Sequence, residues 1–85
     1  MLAGPFNPRQ RAVLSLAGKN PAAVFTYTSH ANSHGVALAT ARADLLGLEG
    51  YGLLTSRRVG RQFEFTPAAG LEARLRQLGG SPGRP

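Results

Sequence analysis

Two histidines four positions apart, His30 and His34, have a type and spacing that invite a chemical reading of this 85-residue sequence. On a helix they would share a face, a spacing that can ligate a metal ion. A third ligand is not evident: there are no cysteines, and the four Asp and Glu residues stand singly on separate stretches of chain. Partly buried structural histidines are the simpler reading. The same scatter of acids argues against paired-carboxylate chemistry. No Ser/His/Asp arrangement stands out beyond the presence of those residue types, and there is no phosphate loop of the Gly-x4-Gly-Lys kind. The sequence therefore suggests no enzyme, no metal site and no cofactor.

The residues left with chemistry to offer are arginines. Of ten basic residues nine are Arg, and the formal net charge is +6. Arg57, Arg58 and Arg61 fall within five positions, and Arg42 stands alone in an alanine-rich stretch. A guanidinium surplus favours a polyanionic partner, most often nucleic acid. The competing explanation is a GC-rich genome, which encodes many Arg, Ala and Gly. Tyr27, Tyr51, Phe63 and Phe65 could stack on bases, as in single-strand binders, but the strict alternation of Phe63 and Phe65 reads better as the core side of a strand.

These side chains need a scaffold, and the length allows one small domain. Residues 7–78 are expected to form it. Residues 1–6, with Gly4 and Pro5, and residues 79–85, rich in Gly and Pro, are expected to be flexible tails. No apolar run approaches the roughly 18–20 residues of a membrane span, and the N-terminus lacks the basic region and apolar core of a secretory leader. A cytoplasmic, nucleoid-associated protein with no membrane contact is the expectation.

Asn7-Pro8-Arg9-Gln10 is a helix start, with Asn as cap, Pro at the first helical position and Gln placed to reach back. Val13, Leu16 and Ala17 follow on one face, and Gly18 and Asn20-Pro21 end the helix. Ala23 to Thr28 reads as a short strand, or a strand turning into a helix at Thr26 or Thr28. Residues 28–35 are turn-prone and weakly helical. From Val36 to Gly50 Ala41, Leu45 and Leu48 make an apolar stripe at i, i+4 and i+7, with Thr40, Arg42, Ala43, Asp44 and Gly47 mostly off it. Residues 53–58 and 62–66, joined by Val59-Gly60-Arg61, form a hairpin pattern. Thr66-Pro67 is expected to cap a last helix carrying Leu71, Leu75 and Leu78. Helices joined by a tight turn and followed by a hairpin spell a helix-turn-helix with a wing.

At this point the sequence resembles the winged helix-turn-helix domains of prokaryotic regulators of the MarR, ArsR and PadR kinds. The residues that carry the resemblance are Thr26, Ala31, Gly35, Val36, Ala41, Leu45, Leu48-Glu49, Gly52-Leu53, Gly60-Arg61, Thr66-Pro67, Gly70 and Leu71. They span nearly all of residues 8–78. His30 and His34 depart from it, standing where the second helix is usually aliphatic, as does Ala37, which replaces the usual Ser or Thr cap. The resemblance implies an α+β fold of three bundled helices, a β-hairpin wing and a C-terminal helix. It implies a sequence-specific double-stranded DNA-binding protein, a small transcriptional regulator, with residues 37–49 in the major groove. Ala37, Ala39, Thr40, Arg42 and Ala43 are then the candidate groove residues, with Arg42 able to pair bidentately with guanine. Arg57, Arg58 and Arg61 would meet phosphates or the minor groove. Arg9, Arg11, Thr28, Ser29 and Asn32 are further candidate phosphate contacts. A homodimer through the first and last helices is compatible with the pattern, as is a monomer. Two other jobs fit it too: plasmid or phage DNA maintenance, including a DNA-translocase-type recognition module, and a winged helix used as a protein-interaction adaptor.

Overall fold

The computed structural model describes residues 6–78. The chain runs α1 (Pro8–Lys19), α2 (Tyr27–His34), α3 (Leu38–Gly50), β1 (Leu54–Val59), β2 (Gln62–Pro67) and α4 (Leu71–Leu78). This is the winged helix-turn-helix order.

The helix starts follow from local chemistry. Asn7 accepts a hydrogen bond from the Gln10 amide at 2.8 Å, and the Gln10 side chain accepts from the Asn7 amide at 3.0 Å. Thr26 and Ser29 repeat this reciprocal cap at the head of α2, both bonds at 3.0 Å. Each cap satisfies amides that a helix end leaves unpaired. The extended residues before α2 are short of a strand: Phe25 alone pairs with Phe65, exchanging backbone hydrogen bonds of 2.8 and 2.7 Å. That exchange holds the start of the helix-turn-helix against the wing.

The core is built where these elements meet. Val13, Leu14 and Ala17 of α1, Leu45 and Leu48 of α3, Leu53, Leu54 and Phe65 of the wing root, and Leu71 of α4 pack into one apolar cluster with Phe6, Ala23 and Phe25. Ala41 is fully buried, and Ala31 nearly so. A small side chain at Ala31 suits the close crossing of α2 on α3.

Three expectations need correction. Phe6, placed in a flexible N-terminal tail, is buried and meets Tyr51 edge-on at 5.4 Å. Burying an aromatic ring is worth more than leaving the chain free there; residues 1–5 and 79–85 lie outside the described residues. Thr66-Pro67 does not cap the last helix. β2 runs through Pro67, opposite Leu54, and a turn at 68–70 precedes α4. Phe63 is not core: it is 40% exposed, whereas Phe65 is fully buried. Both point to the same side of the hairpin, but Phe63 lies beyond the step at which Ser56 faces Phe65, where the wing leaves the body.

Candidate nucleic-acid interface

α2 and α3 are joined by a turn that one residue makes possible. Gly35 ends α2 in the left-handed region, φ 62° and ψ 38°, which costs a residue with a Cβ about 1–2 kcal/mol. The turn closes with the Val36 amide donating to the Ala31 carbonyl at 3.1 Å. α3 then begins at Leu38 with Ala37 as its cap residue, and no side chain satisfies its first amides. At the other end Gly52, φ 77°, reverses the chain into β1.

A buried carboxylate sets the orientation of α3. Asp44, expected mostly off the apolar stripe, is 4% exposed. It accepts from Asn7 Nδ2 at 2.8 Å, from Arg9 Nε at 2.7 Å and Nη2 at 3.2 Å, and it lies 3.0 Å from His30 Nε2. Its backbone carbonyl accepts from Gln10 Nε2 at 3.1 Å. Burial alone pushes the Asp44 carboxyl up. The hydrogen bonds from Arg9, Asn7 and His30, with the charge of Arg9, outweigh that and hold it at about 2. The same bond raises Arg9 above its ordinary value. One side chain on α3 thus clamps α1 and α2 to it, and no buried side-chain polar atom among the described residues lacks a partner. Gly47 leaves room for this: a Cβ there would lie 2.9 Å from Gln10 Nε2.

His30 accordingly has a structural task. It is buried on Asp44, and the ring of His34 stands 4.7 Å from its own. Among the described residues no group of three potential ligands gathers around a metal position.

With Ala41, Asp44, Leu45 and Leu48 turned inward, and Gly47 and Glu49 half-buried, the remaining residues of α3 face out. Ala37, Ala39, Arg42 and Ala43 are exposed, and Thr40 is half-buried. The Arg42 guanidinium lies 6.0 Å from the centroid of the Tyr27 ring, at the outer limit of a cation–π contact. Sequence reasoning missed two residues on this face: Leu38 is 56% and Leu46 39% exposed. At about 100° per residue, Leu46 falls well off the stripe defined by Leu45 and Leu48, a phase that was readable. Leu38 falls close to Leu45 on the wheel but lies in the first turn.

The wing stands beside α3. β1 and β2 pair from Leu54↔Pro67 to Val59↔Gln62, so Gly60 and Arg61 form the tip. Ser56 Oγ donates to the Glu49 carboxylate, tying the hairpin to the end of α3. Arg57, Arg58 and Arg61 are all exposed. Arg58 Nε donates to the Gly60 carbonyl at 3.2 Å. Arg57 is 3.8 Å from Glu64 with its side chain 77% exposed, an ion pair of little energetic weight. The other candidate phosphate contacts divide. Thr28 and Asn32 are exposed on α2, and Ser29 is exposed but engaged in the cap. Arg9 is committed to Asp44, and Arg11 Nη1 donates to the Phe6 carbonyl at 2.8 Å.

No family model matches the chain, and no curated protein matches it. Solved structures do. A 1–100 fragment of a protein from Mycobacterium bovis, described as a possible transcriptional regulatory protein, is 30% identical with a TM-score of 0.66; the match covers 85% of this chain and 74% of that one. Its solution structure is described as a homodimeric winged helix-turn-helix DNA-binding domain of a possible ArsR-family regulator. The adhesin competence repressor AdcR from Streptococcus pyogenes matches with a TM-score of 0.66 at 14% identity, over 86% of this chain and 55% of its own. ZitR from Lactococcus lactis matches with 0.64 at 16% identity, over 86% and 50%. The chain thus spans about half the length of the streptococcal and lactococcal proteins, whose likeness is one of fold.

Proposed function

Because the chain belongs with the winged helix-turn-helix transcriptional regulators of the ArsR type, we propose that it binds double-stranded DNA sequence-specifically and regulates transcription without catalysis. α3 enters the major groove, and Arg57, Arg58 and Arg61 meet phosphates or the minor groove. The observation that carries this reading is a division of charge. Asp44 is buried and Glu49 is taken by Ser56, so two of the four acids are engaged, and Glu64 stands only loosely beside Arg57. Arginines dominate the wing, and Arg42 is the one charged side chain on the exposed face of α3. A polyanion is the partner such a surface attracts.

The protein acts as a homodimer through α1 and α4 in this reading. The homodimeric description of the mycobacterial neighbour supports it. So does Leu16 on α1, a large apolar side chain left about half exposed. No helix among the described residues is long and apolar enough to cross a membrane, and association with the nucleoid follows from DNA binding.

Selection of bound duplexes from a random-sequence pool tests the proposal. Enrichment of one site is expected, as an inverted repeat if the protein dimerises. A pool that stays random after repeated rounds contradicts sequence-specific binding.

A further inference from the structure

The outward face of α3 is poor in hydrogen-bonding groups. At about 100° per residue, Leu38, Glu49, Arg42, Leu46, Ala39, Gly50 and Ala43 share an arc of about 140°, with Glu49 half-buried and turned onto Ser56. Leu38 and Leu46 are 56% and 39% exposed, and both alanines are exposed. Arg42 is the only member able to donate a hydrogen bond from its side chain.

We propose that this face reads thymine. The thymine C5 methyl group packs against Leu38, Ala39, Ala43 and Leu46, and Arg42 supplies a single guanine contact. The inference rests on the DNA-binding reading above. In the major groove every base edge shows a donor, an acceptor or both, but only thymine adds a methyl group. An alanine or leucine laid on the other edges strips water from polar atoms and returns no hydrogen bond, which is unfavourable. Laid on a thymine methyl it buries apolar surface on both sides. The preferred half-site is therefore rich in thymine where α3 lies from Leu38 to Leu46, with one guanine facing Arg42.

An apolar helix face also suits a protein partner, but the charges here favour the polyanion. The two acids of α3 are withdrawn, Asp44 into the core and Glu49 onto Ser56. The wing that Glu49 ties to this helix carries Arg57, Arg58 and Arg61.

The test uses a fluorescein-labelled duplex of the selected site. Single thymines are replaced by deoxyuridine, which removes the methyl group and leaves the hydrogen-bonding edge intact. Each replacement under α3 is expected to weaken binding about fourfold, from about 0.8 kcal/mol per buried methyl-sized group at 1.4 kcal/mol per tenfold. Replacements outside the α3 footprint leave affinity unchanged. Leu38→Ser, at an exposed position, is expected to bind the thymine and deoxyuridine duplexes equally at the position it covers. Equal affinity of the wild-type protein for both duplexes overturns the thymine reading and leaves DNA binding standing. No selective duplex binding at all removes the DNA reading itself. If Leu38→Ser instead abolishes self-association and keeps the thymine preference, Leu38 belongs to a protein interface and the inference fails.

Discussion

Replacing Asp44 by Asn should loosen α3 from the body, and the size of the effect follows from its hydrogen bonds. Asn keeps the shape and one acceptor oxygen but loses the charge that Arg9, Asn7 and His30 surround. The Asp44 carboxyl sits at about 2 in the folded chain against an ordinary 3.8. At about 1.4 kcal/mol per pH unit, that gap is worth about 2.5 kcal/mol at neutral pH. Because the folded value is the lower one, the stabilisation is complete above about pH 5 and is lost as pH falls through 3.8 toward 2. By the same linkage it is about half gone at pH 3 and nearly gone at pH 2. For a domain of this size the neutral-pH loss corresponds to a midpoint about 10–20 °C lower. Urea unfolding of both proteins, followed by circular dichroism from pH 7 to pH 2, measures it. The other carboxyl groups titrate in both proteins, so the difference between them isolates Asp44. A difference below about 0.5 kcal/mol at pH 7, or one that persists unchanged to pH 2, refutes the clamp.

Further outcomes follow from the same structure. Gly35→Ala places a Cβ on a residue at φ 62° and should cost about 1–2 kcal/mol in a thermal melt, with no compensating contact since nothing lies within 4 Å. Phe65→Ala empties the centre of the core, where Phe65 is fully buried; chemical denaturation should show a loss of about 3–5 kcal/mol. Replacing Arg57, Arg58 and Arg61 by Ala should weaken binding on every duplex and flatten its salt dependence by about 2.7 in log–log slope. Arg42→Ala should relax preference at one base pair, by about 1–3 kcal/mol of discrimination; an unchanged preference in competition binding removes Arg42 as a reader.

What could be read from the sequence is what short stretches decide. Asn7 announces its helix because a cap is settled within four residues, and Gly60-Arg61 announces the wing because a hairpin turn is local too; the start of α2 stays open between Thr26 and Thr28 until the Thr26–Ser29 cap is seen. The stripe of Ala41, Leu45 and Leu48 is periodic within one helix. The Asp44 clamp is of another kind: its partners stand 14 to 37 positions away, on α1 and α2, and a lone acid beside an apolar stripe looks solvated until those helices are docked. His30 then explains itself as the buried partner that an aliphatic residue could not replace. Phe63 is exposed although it alternates with Phe65, and Leu38 is exposed although it lies close to Leu45 on the helical wheel. Alternation and periodicity report which side a residue faces, not whether the body extends far enough to cover it.

The central claim is that this surface binds duplex DNA through its arginines, and the salt dependence of affinity tests it most directly. Three wing arginines on phosphates predict a log–log slope of about −2.7, from about −0.9 per phosphate neutralised. Between 50 and 200 mM salt that is roughly a 40-fold loss of affinity, read by fluorescence anisotropy on the selected duplex. A flat response, or no binding at the lower salt, contradicts it.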